Sequence, residues 1–188
     1  MKLRTSVRVA VAIVVAGLGA TTSANAQTLS NISNITLNAT AAQTITVSVT
    51  SGSTVNFTLA QGAAAGGDVS PAISTTWNLN PGLTGAVSLF GYFSTPSAAL
   101  TDGVYDIAAT YVKGRMTTGA VASYTAFTQT NAVGPANGSL LLFTENITGA
   151  NKTKTRSDNL DLQVDLTSSA TVPASTYAGT LHIQARAI

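Results

Sequence analysis

Thr44-Ile45-Thr46-Val47-Ser48-Val49-Thr50 alternates strictly between branched apolar and hydroxyl side chains, and Val55-Asn56-Phe57-Thr58-Leu59 repeats the pattern after Ser51-Gly52-Ser53. A period of two places successive side chains on opposite faces of an extended chain, so these runs predict half-buried antiparallel strands. Threonine suits the solvent face because its branched Cβ favours the extended backbone. Ile35, Leu37 and Ala39 alternate with Thr36 and Asn38 in the same way. Further runs are Ile73 to Leu79, Ala86 to Phe93, Val104 to Val112, Ala120 to Thr128, Ser139 to Ile147, Leu160 to Leu166 and Tyr177 to Ala187. Gln61 to Ser70, rich in glycine and alanine, reads as a loop. No window carries an apolar stripe of helical spacing with a charged back. The expected fold is all-β, an antiparallel immunoglobulin-like sandwich of about 8–10 strands.

Composition bounds the function. Among 188 residues there are no cysteines and one histidine, and 9% are charged while 45% are hydrophobic. Such a chain can build a core, which argues against a solvated disordered protein. It has no clustered cationic surface for nucleic acid. Without cysteine it has neither a thiol nucleophile nor the usual ligands of a structural zinc site.

The basic balance comes from the first 26 residues. Lys2, Arg4 and Arg8 precede an apolar run from Val9 to Leu18, and Ala24-Asn25-Ala26 supplies a small-x-small cleavage site. This is the pattern of a cleaved signal peptide, with an apolar run too short to cross a bilayer. Residues 27–188 are then expected to form one sandwich domain, exported by the general secretory route to the periplasm, cell surface or medium. The formal charge of +2 falls to −1 on cleavage, with six basic and seven acidic residues left in 162. The mature chain carries no apolar run long enough for a membrane helix. An outer-membrane barrel would need aromatic girdles, and eleven Phe, Tyr and Trp residues are sparse for two. Seven Asn-x-Ser/Thr triplets fit a polar β surface and become glycan acceptors only in a eukaryotic host.

Register can be read for the last two strands. In Leu160–Leu166 the polar face is Asp161, Gln163 and Asp165, and in the final strand it is His182, Gln184 and Arg186. A hairpin through Val172 to Ser175 would pair Asp161 with Arg186, Gln163 with Gln184 and Asp165 with His182. Cross-strand opposite charges contribute roughly 0.2–1 kcal/mol each.

Candidate sites are few. His182 has Asp165 as its expected neighbour but no serine in a nucleophile elbow, so a solvated cross-strand pair is the reading. Asp102 and Asp106 lack the dense acidic-glycine pattern of a calcium loop. No metal, cofactor or catalytic residue is expected. Trp77 shares a face with Ile73 and Leu79 and reads as a core anchor, with a sugar-stacking platform as its rival. Phe90 and Tyr92 lie in a run apolar on both faces, either a covered central strand or an intersubunit patch that contacts a partner or a glycan. Lys152-Thr153-Lys154-Thr155-Arg156 reads as a solvated basic turn, with attachment to an anionic surface polymer as its functional alternative.

The ending Val172-Pro173-Ala174-Ser175-Thr176-Tyr177-Ala178-Gly179-Thr180-Leu181-His182-Ile183 resembles that of secreted bacterial β-sandwich subunits of the spore coat protein U-like and fimbria-like type. Those subunits usually carry a cysteine pair and a penultimate tyrosine, where this chain has no cysteine and Ala187. The resemblance implies an extracytoplasmic structural or adhesive subunit without catalytic residues. Leu29, Ile32, Ile35 and Leu37, within Gln27 to Ala39, are the expected assembly strand, added to the sheet edge of a second copy or another surface protein. The alternative is a monomeric carbohydrate-binding or adhesin module using Trp77, Tyr92 or Tyr111.

Overall fold

The computed structural model describes residues 32–80, 82, 85–169 and 171–188. The expected leader, its cleavage site and Leu29 lie outside these residues. The chain divides into two compact units, Met1–Ala39 and Thr40–Ile188. In the first, residues 32–39 form no helix or strand, and Ile32, Ile35 and Leu37 are 88, 85 and 88% exposed. All of the strands among the described residues belong to the second unit.

The second unit is an all-β, sandwich-like fold of antiparallel sheets. One sheet joins β1 (Thr44–Ser51), β3 (Ala72–Asn78) and β10 (Thr153–Asn159) in the order β1-β3-β10. A second orders β2 (Ala64–Gly66), β11 (Asp161–Asp165), β7 (Val112–Arg115) and β8 (Thr125–Ala126) as β2-β11-β7-β8. The third is β12-β4-β9, from β4 (Gly85–Tyr92), β9 (Ser139–Ile147) and β12 (His182–Ala187). β5 (Leu100–Thr101) and β6 (Asp106–Ile107) form a short hairpin. Only Leu160 separates β10 from β11, and its N–H donates to Pro71 O at 2.9 Å, so one course of chain passes from the first sheet into the second.

The alternation sorts the faces as expected. Across the first sheet Thr46, Thr76 and Thr155 stand in one rank and Ser48, Ser74 and Ser157 in the next, all away from the core. On the other face Ile45 pairs with Trp77 and Val49 with Ile73. Trp77 is fully buried and its indole Nε1–H donates to Asn151 O at 2.8 Å, satisfying the one polar atom that burial would leave bare. β4 is the central strand of its sheet and is buried without a break from Val87 to Gly91. Gly91 and Gly114 leave room for the Phe127 ring, which a Cβ would approach to 2.8 and 3.1 Å respectively.

Several expectations need correction. The hairpin of the last two long strands does not form. β11 pairs with β7, setting Asp161 opposite Arg115 and Gln163 opposite Lys113, while β12 pairs with β4, setting His182 opposite Tyr92, Gln184 opposite Phe90 and Arg186 opposite Ser88. Two cations on β7 take up the acids of β11 in place of Arg186 and His182. Arg115 donates to Asp161 Oδ2 from Nε at 3.0 Å and Nη2 at 2.7 Å, and Lys113 bonds Asp165. The residues between β11 and β12 are numerous enough to carry the chain to another sheet. The basic run Lys152–Arg156 is not a solvated turn, because most of it is β10. The Gln61–Ser70 loop contains β2, and Ala120–Thr128 yields only β8.

Candidate functional site

Val55-Asn56-Phe57-Thr58-Leu59 has the alternation of a strand and makes only an isolated bridge, Phe57 to Gly67. Gly52 causes this departure: its φ is +69° and a Cβ would sit 3.0 Å from Pro71 Cα, so the chain turns sharply out of the β1 ladder. The second such segment is Tyr177–Leu181, expected to belong to the final strand. It is tied down by one bridge, in which Thr101 and Ala178 exchange N–H···O bonds of 2.9 Å, and Gly179 presses so close to Ala99 O that a Cβ would collide with it.

Between these two segments lies an uncharged groove of about 680 Å³. Its walls include Val55, Phe57, Ile73, Phe93, Leu162 and Leu181, and no charged side chain lines it among the described residues. The size falls within the range of ligand pockets, roughly 300–1,000 Å³. Its rim differs from that of a small-molecule site, because two extended backbones with few ladder bonds border it. Such backbone offers N–H and C=O groups to an extended peptide, while the apolar floor takes every second side chain.

Ion pairs lie elsewhere. Arg156 donates to Asp158 from Nε and Nη2, each at 2.8 Å, and its guanidinium sits 4.2 Å above the centre of the Phe143 ring. Asp158 also accepts from Thr118 Oγ1, and the Asp158 side chain is almost completely buried. Lys154 bonds Glu145, whose other oxygen lies 3.6 Å from Arg156 Nη1. Burial pushes the Glu145 carboxyl up, but hydrogen bonds from Lys154 and Asn151 and the charges of Lys154 and Arg156 bring it below the ordinary range. Asp161 is held low by Ser70 and then Arg115, and Asp165 by Lys113 and Thr167. The Glu145 contacts join β10 to β9 of another sheet, whereas Asp161 and Asp165 bond to β7 within their own sheet.

The residues singled out in the sequence divide. Trp77 and Phe90 are buried, at 0 and 7% exposure, so neither can serve as a glycan platform or partner patch on this surface. Tyr92 is half-buried and stacks on His182, with ring centres 5.1 Å apart and planes 22° apart. Tyr111 is half-buried against the small core around Ile107. Asp102 does not face a cation site in the described residues: its Oδ1 accepts from the N–H groups of Val104 and Tyr105 at 2.8 and 2.6 Å. Ile32, Ile35 and Leu37 are exposed. The groove itself was not singled out from sequence. Its signal was present, in that Val55–Leu59 and Tyr177–Leu181 read as strands, but alternation does not tell whether a partner is available.

No family model matches the chain, and no curated protein or solved structure matches it.

Proposed function

We propose that this chain is a non-enzymatic, exported structural or adhesive subunit, and that copies join by β-strand addition. Residues 29–39 of one copy enter the uncharged groove of the next. The observation that carries this reading is a mismatch of pattern and pairing. Three segments have the sequence of strands but almost no ladder: Ile35–Ala39, Val55–Leu59 and Tyr177–Leu181. Two of them border the groove, and the first supplies a chain of suitable pattern to fill it.

Leu29, Ile35, Leu37 and Ala39 share one parity of the extended segment and would face the groove floor, while Ile32 has the other parity. Burying each Leu or Ile side chain contributes about 1.5–3 kcal/mol. New backbone bonds along the groove walls satisfy groups now left to water. The uncharged lining suits an entering segment that is itself uncharged from Gln27 to Gln43. Export follows from the leader pattern, and N-terminal sequencing of the secreted protein should begin at Gln27.

The test is native mass measurement of the full chain and of a variant lacking residues 27–39. The full chain is expected to give a ladder of multimers, and the truncated chain a monomer. Multimers that persist unchanged in the truncated variant would overturn the reading.

A further inference from the structure

Val55–Leu59 borders the groove along one edge and is tied to the rest of the molecule along the other. Asp68 makes that tie. Its Oδ1 accepts from the Asn56 backbone N–H at 2.8 Å and its Oδ2 from Asn56 Nδ2 at 2.9 Å, while its own N–H donates to Asn56 O at 3.0 Å. These bonds from Asn56 hold the Asp68 carboxyl below its ordinary range. Next to the clamp, Gly67 bridges Phe57, and its N–H donates to Leu162 O at 2.9 Å, which fixes the base of the clamp to β11. A Cβ on Gly67 would collide with Val55 Cγ1, so glycine is what lets the two chains close up.

The clamp decides which way the other backbone groups of this wall point. Burial alternates along the segment, with Val55, Phe57 and Leu59 half-buried and Asn56 and Thr58 exposed. In a chain of that period successive residues turn their N–H and C=O groups to opposite edges. Those of Asn56 go to Asp68, and neither Gly67 nor Asp68 lines the groove. Those of Val55 and Phe57 therefore face the groove edge, and among the described residues they have no hydrogen-bond partner. The facing wall repeats the arrangement. Ala178 exchanges both its backbone bonds with Thr101, which turns the groups of Tyr177 and Gly179 to the opposite edge, and these too have no backbone partner among the described residues.

We propose that Asp68 is the positioning residue of the groove: it holds Val55–Leu59 as a preformed strand edge, so that one entering strand bonds Val55 and Phe57 on one side and Tyr177 and Gly179 on the other. This rests on the assembly reading and deepens it, giving the groove two accepting edges and one residue that keeps the first in place. The wall is ordered within the single copy before association, and such preorganisation raises affinity by lowering the cost of binding. Without the carboxylate the wall keeps only the bridge at Phe57 and its own packing, since Gly52 has already turned it out of the β1 ladder. An entering strand would then have to order its own template.

The test compares the full chain with Asp68→Ala and with the double exchange Asn56→Asp plus Asp68→Asn, by native mass measurement over a range of concentrations and by thermal unfolding. Asp68→Ala is expected to raise the concentration at which half the chains are multimeric by about tenfold. Its melting temperature should stay close to that of the parent, because the pair lies on the surface. The double exchange keeps the charge and rebuilds the side-chain bonds with donor and acceptor reversed, so it should restore assembly. Unchanged assembly in Asp68→Ala, a loss that only tracks a fall in melting temperature, or no recovery in the double exchange would each overturn the proposal. Amide hydrogen exchange separates this inference from the reading it rests on. In dilute parent chain Asn56 should exchange slowly and Val55 and Phe57 fast, and Asp68→Ala should speed Asn56 about tenfold. A parent chain that shows this pattern yet forms no multimers overturns the assembly reading and leaves the clamp standing. Multimers in which Val55 and Phe57 still exchange fast keep assembly and overturn the accepting edge.

Discussion

The two ends of the sandwich are built from the same alternating sequence and finish differently. Trp77, Leu89 and Phe143 are each at most 1% exposed, and β3, β4, β9 and β10 surround them with paired backbone. Around the groove Val55, Phe57 and Leu181 are only half-buried, and their backbones run mostly without ladders. Alternation therefore fixes which face a residue shows but not whether its strand finds a neighbour. A strand pattern without a ladder is an incomplete part of a core, and it marks where a further strand would complete it.

The largest effect tests this contrast directly. Trp77→Ala should lower the unfolding free energy by about 3–5 kcal/mol, as for large aromatic deletions in close-packed cores. Phe57→Ala should cost about 1–2 kcal/mol, since part of that ring already meets water. Urea unfolding of both variants measures the difference. Equal costs would mean that the groove end is packed as tightly as the other, and the distinction would fail.

Next comes the buried ion cluster on the closed side. Asp158→Ala leaves Arg156 without its two-pronged partner and Thr118 without an acceptor, at a cost of about 3 kcal/mol. A double variant, Asp158→Ala with Arg156→Met, should recover part of that loss, because it removes the stranded cation. No recovery would assign the cost to packing against Phe143 instead of charge.

Acid should loosen the fold more gently. Glu145, Asp161 and Asp165 titrate below their ordinary carboxylate range in the folded chain. A depressed folded-state pKa contributes stability above the unfolded value, and that contribution is lost as pH falls through the folded one. The melting temperature should therefore drop as pH falls below about 4, where free carboxylates begin to protonate. Lys113–Asp165 and Arg115–Asp161 are partly exposed, so water screens both pairs and their contribution fades with added salt. A melting temperature flat from pH 7 to about 3 would contradict the pairing.

Much of this architecture is legible in the sequence. β1, β3, β4 and β9 fall within or close to the runs that alternation marks, and Trp77 lies where its face predicts. β10 was hidden because Lys154, Arg156 and Asp158 look like a solvated turn. Arg156 and Asp158 instead face inward and satisfy one another, and Lys154 bonds Glu145 of β9. The β11–β12 register failed for a related reason. Matching charges identify compatible strands, and here β7 offered Arg115 and Lys113 as a competing match. The groove was invisible because it is defined by an absent neighbour.

The smallest effect is a gain, and it lies on the closed side. Thr75 is fully buried on β3 between Val47 of β1 and Arg156 of β10, and its Oγ1 has no partner. A buried hydroxyl without a hydrogen bond carries a desolvation cost, whereas a methyl of the same shape does not. Thr-to-Val exchange is ordinarily unfavourable because a hydroxyl bond is lost with it. No such bond exists here, and both residues suit a strand equally. Thr75→Val should thus raise stability by up to about 1 kcal/mol, read from the urea midpoint at unchanged slope. A loss instead would show that a buried water satisfies the hydroxyl, and the closed end would then be wetter than its packing implies.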